Sequence, residues 1–144
     1  GLAALPPPPA GPQALLIALA DQPLLDADDL RALLAAWHAR PAGAQVVHPL
    51  VVAATEAPAQ GKGPRQAQGL RGNPVVCSAM VRAQVLAADE DFGCRQWQAA
   101  HPQQVARFVT ANPHFALDVD TPADLERFER ETGRALRWPA WLQA

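Results

Sequence analysis

The sequence predicts an α/β domain with a mainly parallel sheet, on three observations. Stretches with strand and helix character alternate along the chain. Residues 14–20 (Ala-Leu-Leu-Ile-Ala-Leu-Ala) form a continuous apolar run between Pro12 and Pro23, as in a strand buried on both faces of a parallel sheet. Two segments carry capped, amphipathic helix signals.

The elements follow in order. Pro6–Pro9 with Gly11-Pro12 excludes helix and central strand, so residues 1–13 read as a stiff lead-in. The first strand, 14–20, ends at Asp21-Gln22-Pro23. Asp26 N-caps a helix with acids in its first turn, and Leu30, Leu33, Leu34 and Trp37 form its apolar stripe. Pro41 and Gly43 stop it. Residues 45–54 are valine-rich and read as a strand, interrupted by Pro49. Residues 56–71 are polar, with glycines and prolines, and read as a long loop. A helix is expected from Cys77 or Ser78 to Ala88, and a shorter one over 93–100. Residues 105–110 and 115–119 read as strands. Thr121-Pro122-Ala123-Asp124 starts the last helix, with Thr121 as cap, Pro122 at the first position and an acid at the third; Gly133 stops it. The remaining tail, to 144, carries Trp138, Trp141 and Leu142, a small apolar stripe expected to dock on the body.

Composition narrows the function. The chain has 144 residues, is 49% hydrophobic and 18% charged, and carries a net charge of -2. That is apolar enough for a core and too apolar for disorder. Lys62 is its one lysine, and the charge balance argues against a nucleic-acid surface. The longest apolar run is far short of the ~20 residues that cross a bilayer, so no membrane partner is expected. Cys77 and Cys94 read as reduced thiols of a cytoplasmic protein. His38, His48, His101 and His114 lack metal-ligand spacing and read as surface or loop residues.

Chemistry concentrates in three places. Asp21 follows one strand, and Asp118 and Asp120 close another just before a capped helix. Ligands of open parallel sheets bind beyond the carboxyl ends of the strands. Two carboxylates meeting there make an oxygen site for Mg²⁺, which phosphoryl and nucleotidyl transfer need. The same residues also serve as caps of a turn and a helix, and the two roles are compatible. Arg71-Gly72-Asn73-Pro74 closes the long loop: Gly72 permits close backbone approach, and Asn73 offers an amide, although an ordinary turn has the same residues. Asp91-Phe92-Gly93-Cys94-Arg95 places Arg95 at a helix start, suited to a phosphate or to a neighbouring acid.

In this order, Asp21-Gln22-Pro23, Gly72-Asn73-Pro74, Asp91-Phe92-Gly93-Cys94-Arg95 and Asp118-Val119-Asp120-Thr121-Pro122 resemble the MobA-like NTP transferase family, and most nearly its molybdenum cofactor cytidylyltransferases. The resemblance covers residues 14–131. It implies a Rossmann-like nucleotidyltransferase fold with helices on both faces. It implies transfer of CMP from CTP to molybdopterin, with Mg²⁺ and release of pyrophosphate. Asp21 and Asp120 would be catalytic and hold the metal. Gly72, Asn73, Pro74, Asp91, Arg95 and Asp118 would bind substrate. Glu90 and Cys94 stand where the family pattern has glycine and alanine.

The family opens with a strand and a glycine-rich phosphate loop of the type L-x-x-G-x-S-x-R-x-G-x-x-K, which has no counterpart here. On that basis residues 1–144 are expected to form a single partial domain: the lead-in, the C-terminal part of the nucleotidyltransferase domain over 14–132, and the tail 133–144. This chain alone is expected to be inactive. Its first strand would leave an unpaired edge, so self-association or cover by the tail is expected. A guanylyltransferase using GTP, another small-molecule nucleotidyltransferase, and a non-catalytic assembly module remain the alternatives.

Overall fold

The computed structural model describes residues 14–53, 69–89 and 91–136. The proline-rich lead-in, most of the long loop, Glu90 and the tryptophan tail lie outside the described residues.

Among the described residues, five strands form one sheet: β1 (Ala14–Ile17), β2 (Val46–Val51), β3 (Leu70–Arg71), β4 (Val75–Ser78) and β5 (Val105–Thr110). Four α-helices accompany it there: α1 (Ala27–His38), α2 (Ala79–Ala87), α3 (Cys94–Ala100) and α4 (Pro122–Thr132). The mixed α/β class is as the sequence predicts. No helix among the described residues is long and apolar enough to cross a membrane.

The pairing departs from a mainly parallel sheet. β4 lies antiparallel between β1 and β2, β3 lies antiparallel against the far end of β2, and β5 is parallel to β2. β1, β2 and β5 therefore share one direction, while β3 and β4 return beside β2 as the second arm of a hairpin-like pair, which enforces antiparallel contact.

β2 is the centre. Its residues 46–50 are buried, as befits a strand with neighbours on both edges and helices on both faces. On one face, Val47 and Val76 pack with Leu33 and Trp37 of α1 and with Phe115. On the other, Val46, Val75 and Cys77 pack with Val81 of α2 and Trp97 of α3. Period-2 alternation along β2 and β4 assigns the residues to these two layers. Pro49 lacks a ladder donor and is tolerated because the antiparallel neighbour is interrupted beside it. Leu50 faces Arg71 while Val47 faces Val76, so residues 72–75 stand opposite only His48 and Pro49.

The helix ends follow local chemistry. The Asp26 carboxylate accepts from the Asp28 and Asp29 N–H groups, and Asp29 reaches back to the Asp26 N–H, a reciprocal capping box. Thr121 and Asp124 repeat this at α4, which ends on Gly133 at φ 68°.

Four expectations are corrected. β1 ends at Ile17 and is half-buried, because its second edge has no strand partner among the described residues. The predicted helix start at 77 or 78 is preceded by β4, with Ser78 both the last strand residue and the N-cap of α2. Residues 115–119 do not form a strand. Pro113–Ala116 form a 3-10 turn, and Phe115 and Leu117 are buried from irregular backbone. His48 is no surface residue: it is only 7% exposed, in the middle of β2.

Candidate functional site

Two of the motifs converge on one backbone carbonyl, that of Phe115, and a third is tied to the first of them. The 3-10 turn that carries it is capped by Asn112, whose side chain accepts from the His114 N–H. The Asn73 N–H donates to the Phe115 carbonyl at 2.9 Å, and the Gln22 Nε2 donates to the same oxygen at 3.2 Å. Gln22 also donates to Asp118 Oδ1 at 2.8 Å. One residue on, the Val119 N–H donates to the Asp21 carbonyl at 2.8 Å. The Asp21-Gln22-Pro23 loop, the Gly72-Asn73-Pro74 turn and the 118–120 segment are thus tied into one cluster beyond the carboxyl end of β1.

Gly72 makes the convergence possible. A Cβ built there would lie 2.4 Å from the Phe115 carbonyl oxygen, so only glycine allows the approach. Its own N–H donates to the Pro49 carbonyl at 2.9 Å, fastening the turn to the interruption in β2. The Asn73–Pro74 peptide bond is cis.

Gln22, the middle residue of the Asp-Gln-Pro motif, was not among the sequence candidates, yet it is the side chain that links Phe115 and Asp118 and is only 6% exposed. A polar residue held between an acid and a proline at a strand end is the one signal that pointed to it.

The acids differ in setting. Asp21 and Asp118 are half-buried and Asp120 is exposed. Asp21 Oδ1 and Gln22 Oε1 are buried and accept no hydrogen bond among the described residues. A desolvated carboxylate oxygen without a donor is costly, and a hard divalent cation is the partner its chemistry suits. The residues at this edge therefore fit such an ion.

A second carboxylate group lies at the start of α1. Asp26, Asp29 and His114 bring three ligand-capable atoms within 4.8 Å of one another, a set that a divalent cation can use. Both oxygens of Asp29 already have partners there. Oδ2 accepts from the Asp26 N–H at 3.1 Å and pairs with His114 Nδ1 at 2.8 Å; Oδ1 accepts from Asn112 Nδ2 at 2.6 Å. This group ties the helix start to the turn that carries Phe115. The Asp26 cap and the acids of the first turn were legible in the sequence; His114, read there as a surface or loop residue, joins them only through the fold.

The remaining candidates sit apart. Asp91 is exposed in the turn before α3, and among the described residues no hydrogen bond or ion pair links it to the Phe115 cluster. Arg95 lies in the first turn of α3, close enough to Arg71 to lower that residue's proton affinity alongside the larger effect of burial. The two thiols meet: Cys77 donates a hydrogen bond that holds the Cys94 thiol down to about 7, and the same bond together with burial pushes Cys77 up.

No curated protein matches the chain. The family model for the MobA-like NTP transferase domain matches residues 1–105, a span that contains Asp21-Gln22-Pro23, Gly72-Asn73-Pro74 and α3 and ends before the 118–120 segment. With most of its length inside that match, this chain belongs to the MobA-like NTP transferase family.

Proposed function

We propose that the chain serves nucleotidyl transfer in molybdenum cofactor synthesis, moving CMP from CTP to the terminal phosphate of a molybdopterin-type acceptor. An acceptor phosphate oxygen attacks the α-phosphorus, the bond from that phosphorus to the oxygen bridging it to the β-phosphorus breaks, and pyrophosphate leaves with that oxygen. The observation that carries this reading is the convergence of Gln22 and Asn73 on the Phe115 carbonyl, with Asp118 tied in through Gln22, Asp21 tied to Val119, and a buried Asp21 oxygen lacking a donor.

Asp21 and Asp120 are the residues that would hold Mg²⁺. When bound, the ion would offset negative charge on the attacked phosphate. Gln22 fixes Asp118 and the loop after β1 in one orientation, so the acids need not reorganise during transfer. Gly72-Asn73-Pro74 would line the acceptor side, with Asp91 and Arg95 as further substrate contacts. GTP in place of CTP gives the guanylyl counterpart of the same reaction.

Pyrophosphate release from CTP or GTP, with molybdopterin and Mg²⁺, tests the reading in a protein that supplies a glycine-rich phosphate loop together with these residues. Asp21→Ala is expected to lower turnover by a factor on the order of 10²–10³ with the fold intact; retained turnover at saturating Mg²⁺ refutes the assignment. On this chain itself, Mn²⁺ should broaden amide resonances of residues 21–22 and 118–120, and Asp21→Ala should remove the effect.

A further inference from the structure

The sheet face that packs on α2 and α3 gathers arginines around one buried imidazole. His48 of β2 stands directly opposite Arg107 of β5. Arg71 stands opposite Leu50, two residues along β2 from His48 and so on the same face. Arg71 Nη2 donates to Oε1 of the buried Gln98 on α3 at 2.6 Å. Arg95 precedes Gln98 by three residues and so shares its side of α3, which places a second guanidinium beside the first.

Nothing described neutralises this charge. The ion pairs among the described residues involve Asp28, Asp29 and Asp124, none of them with Arg71, Arg95 or Arg107. Burial holds His48 below the ordinary imidazole range, and Arg71 and Arg107 add to that. Like charges collected on a partly desolvated surface repel, and an entering anion relieves them. Guanidinium forks match the oxygens of a phosphate group, and their exposed N–H donors stay charged at any working pH. The net charge of the whole chain conceals the cluster, because acids on α1, on α4, at the site edge and at 89–91 before α3 balance its arginines in the sum.

We propose that Arg71, Arg95 and Arg107, grouped around His48, form a binding site for the phosphate monoester of a small phosphorylated ligand. The site stands on the α3 face of the sheet; it shares Arg95 with the proposed substrate contacts, but it rests on strand register and side-chain placement and not on the nucleotidyl-transfer reading. Arg95 was a candidate phosphate contact from sequence; Arg71, Arg107 and His48 become partners only through strand register.

The test is a titration of the 144-residue chain with inorganic phosphate at low, constant ionic strength, followed by amide and imidazole resonances. Saturable shifts are expected at residues 48, 71, 95 and 107, with none from chloride. Arg71→Gln and Arg107→Gln should each weaken binding about ten-fold or more, the loss of a charge-assisted contact. Arg107→Gln is the cleaner variant, since Arg71 also holds Gln98. Arg31→Gln, which removes an arginine paired with Asp28, should leave binding unchanged. Unchanged affinity in a folded Arg107→Gln chain, or shifts absent from these four residues, overturns the proposal.

Discussion

Replacing Gly72 by alanine tests the contact on which the candidate site is built. The added methyl would sit 2.4 Å from the Phe115 carbonyl oxygen and 3.1 Å from the Phe115 Cβ. The obstacle is backbone, so no rotamer change clears it. Gly72 does not occupy the left-handed region, unlike Gly43 and Gly133, so the cost is contact and not dihedral strain. Relief requires the 72–73 turn to part from the 3-10 turn. The bond from the Asn73 N–H to Phe115 goes with it, and Gln22 loses its reference point on the same carbonyl. Overpacking of this kind costs about 1–3 kcal/mol, and a lost buried hydrogen bond about 1 kcal/mol more. The expected destabilisation is therefore about 2–4 kcal/mol, read from urea unfolding with an unchanged slope. Gly43→Ala provides the contrast. It meets nothing within 4 Å but has φ 89°, and should cost only about 1–2 kcal/mol, from strain. A Gly72→Ala chain that loses less than about 0.5 kcal/mol would show that the close approach to Phe115 does not exist in solution.

Asp29→Ala should destabilise by about 2–4 kcal/mol, since it strips the Asp26 N–H, Asn112 and His114 of their shared acceptor; a thermal unfolding curve close to that of the unaltered chain would contradict this. Cys94 should alkylate with iodoacetamide along a pH profile with its midpoint at about 7, while native Cys77 stays unreacted. Cys77→Ala should move that midpoint upward, and an unmoved midpoint would show that the thiol–thiol hydrogen bond is not its cause. Burial depresses the folded-state affinity of His48 for a proton, so the unfolded chain binds the proton more tightly. The contribution of His48 to stability is thus fully present above about pH 6.5 and is lost as pH falls below it. The stability of the unaltered chain relative to His48→Gln should therefore shrink between pH 7.5 and 5.5 in urea titrations; a difference that grows on acidification would reverse the assignment.

Several elements were legible because their determinants lie within a few residues of one another. The Asp26–Asp29 box, the Thr121-Pro122-x-Asp124 start and the Gly133 stop satisfy helix ends from neighbouring positions, and α1 and α4 appear where those signals stand. β5 likewise spans the predicted residues 105–110. β4 was hidden because its last residue is also the cap of α2, so strand and helix join without a turn to separate them. Residues 115–119 carry an apolar pattern that suits a strand and a buried irregular segment equally. Their form was decided by where the Phe115 carbonyl is needed, at Asn73 and, across 93 positions in sequence, at Gln22. The sequence by itself determined the α/β class, the capped helices and the separate motifs, since periodicity and caps are local. Only the tertiary structure decided that β4 runs antiparallel between β1 and β2, that Gln22 bridges the motifs, that His114 reaches Asp29, and that Arg71 and Arg107 lie beside His48. Those outcomes depend on strand register and packing between distant segments, which no short window of residues encodes.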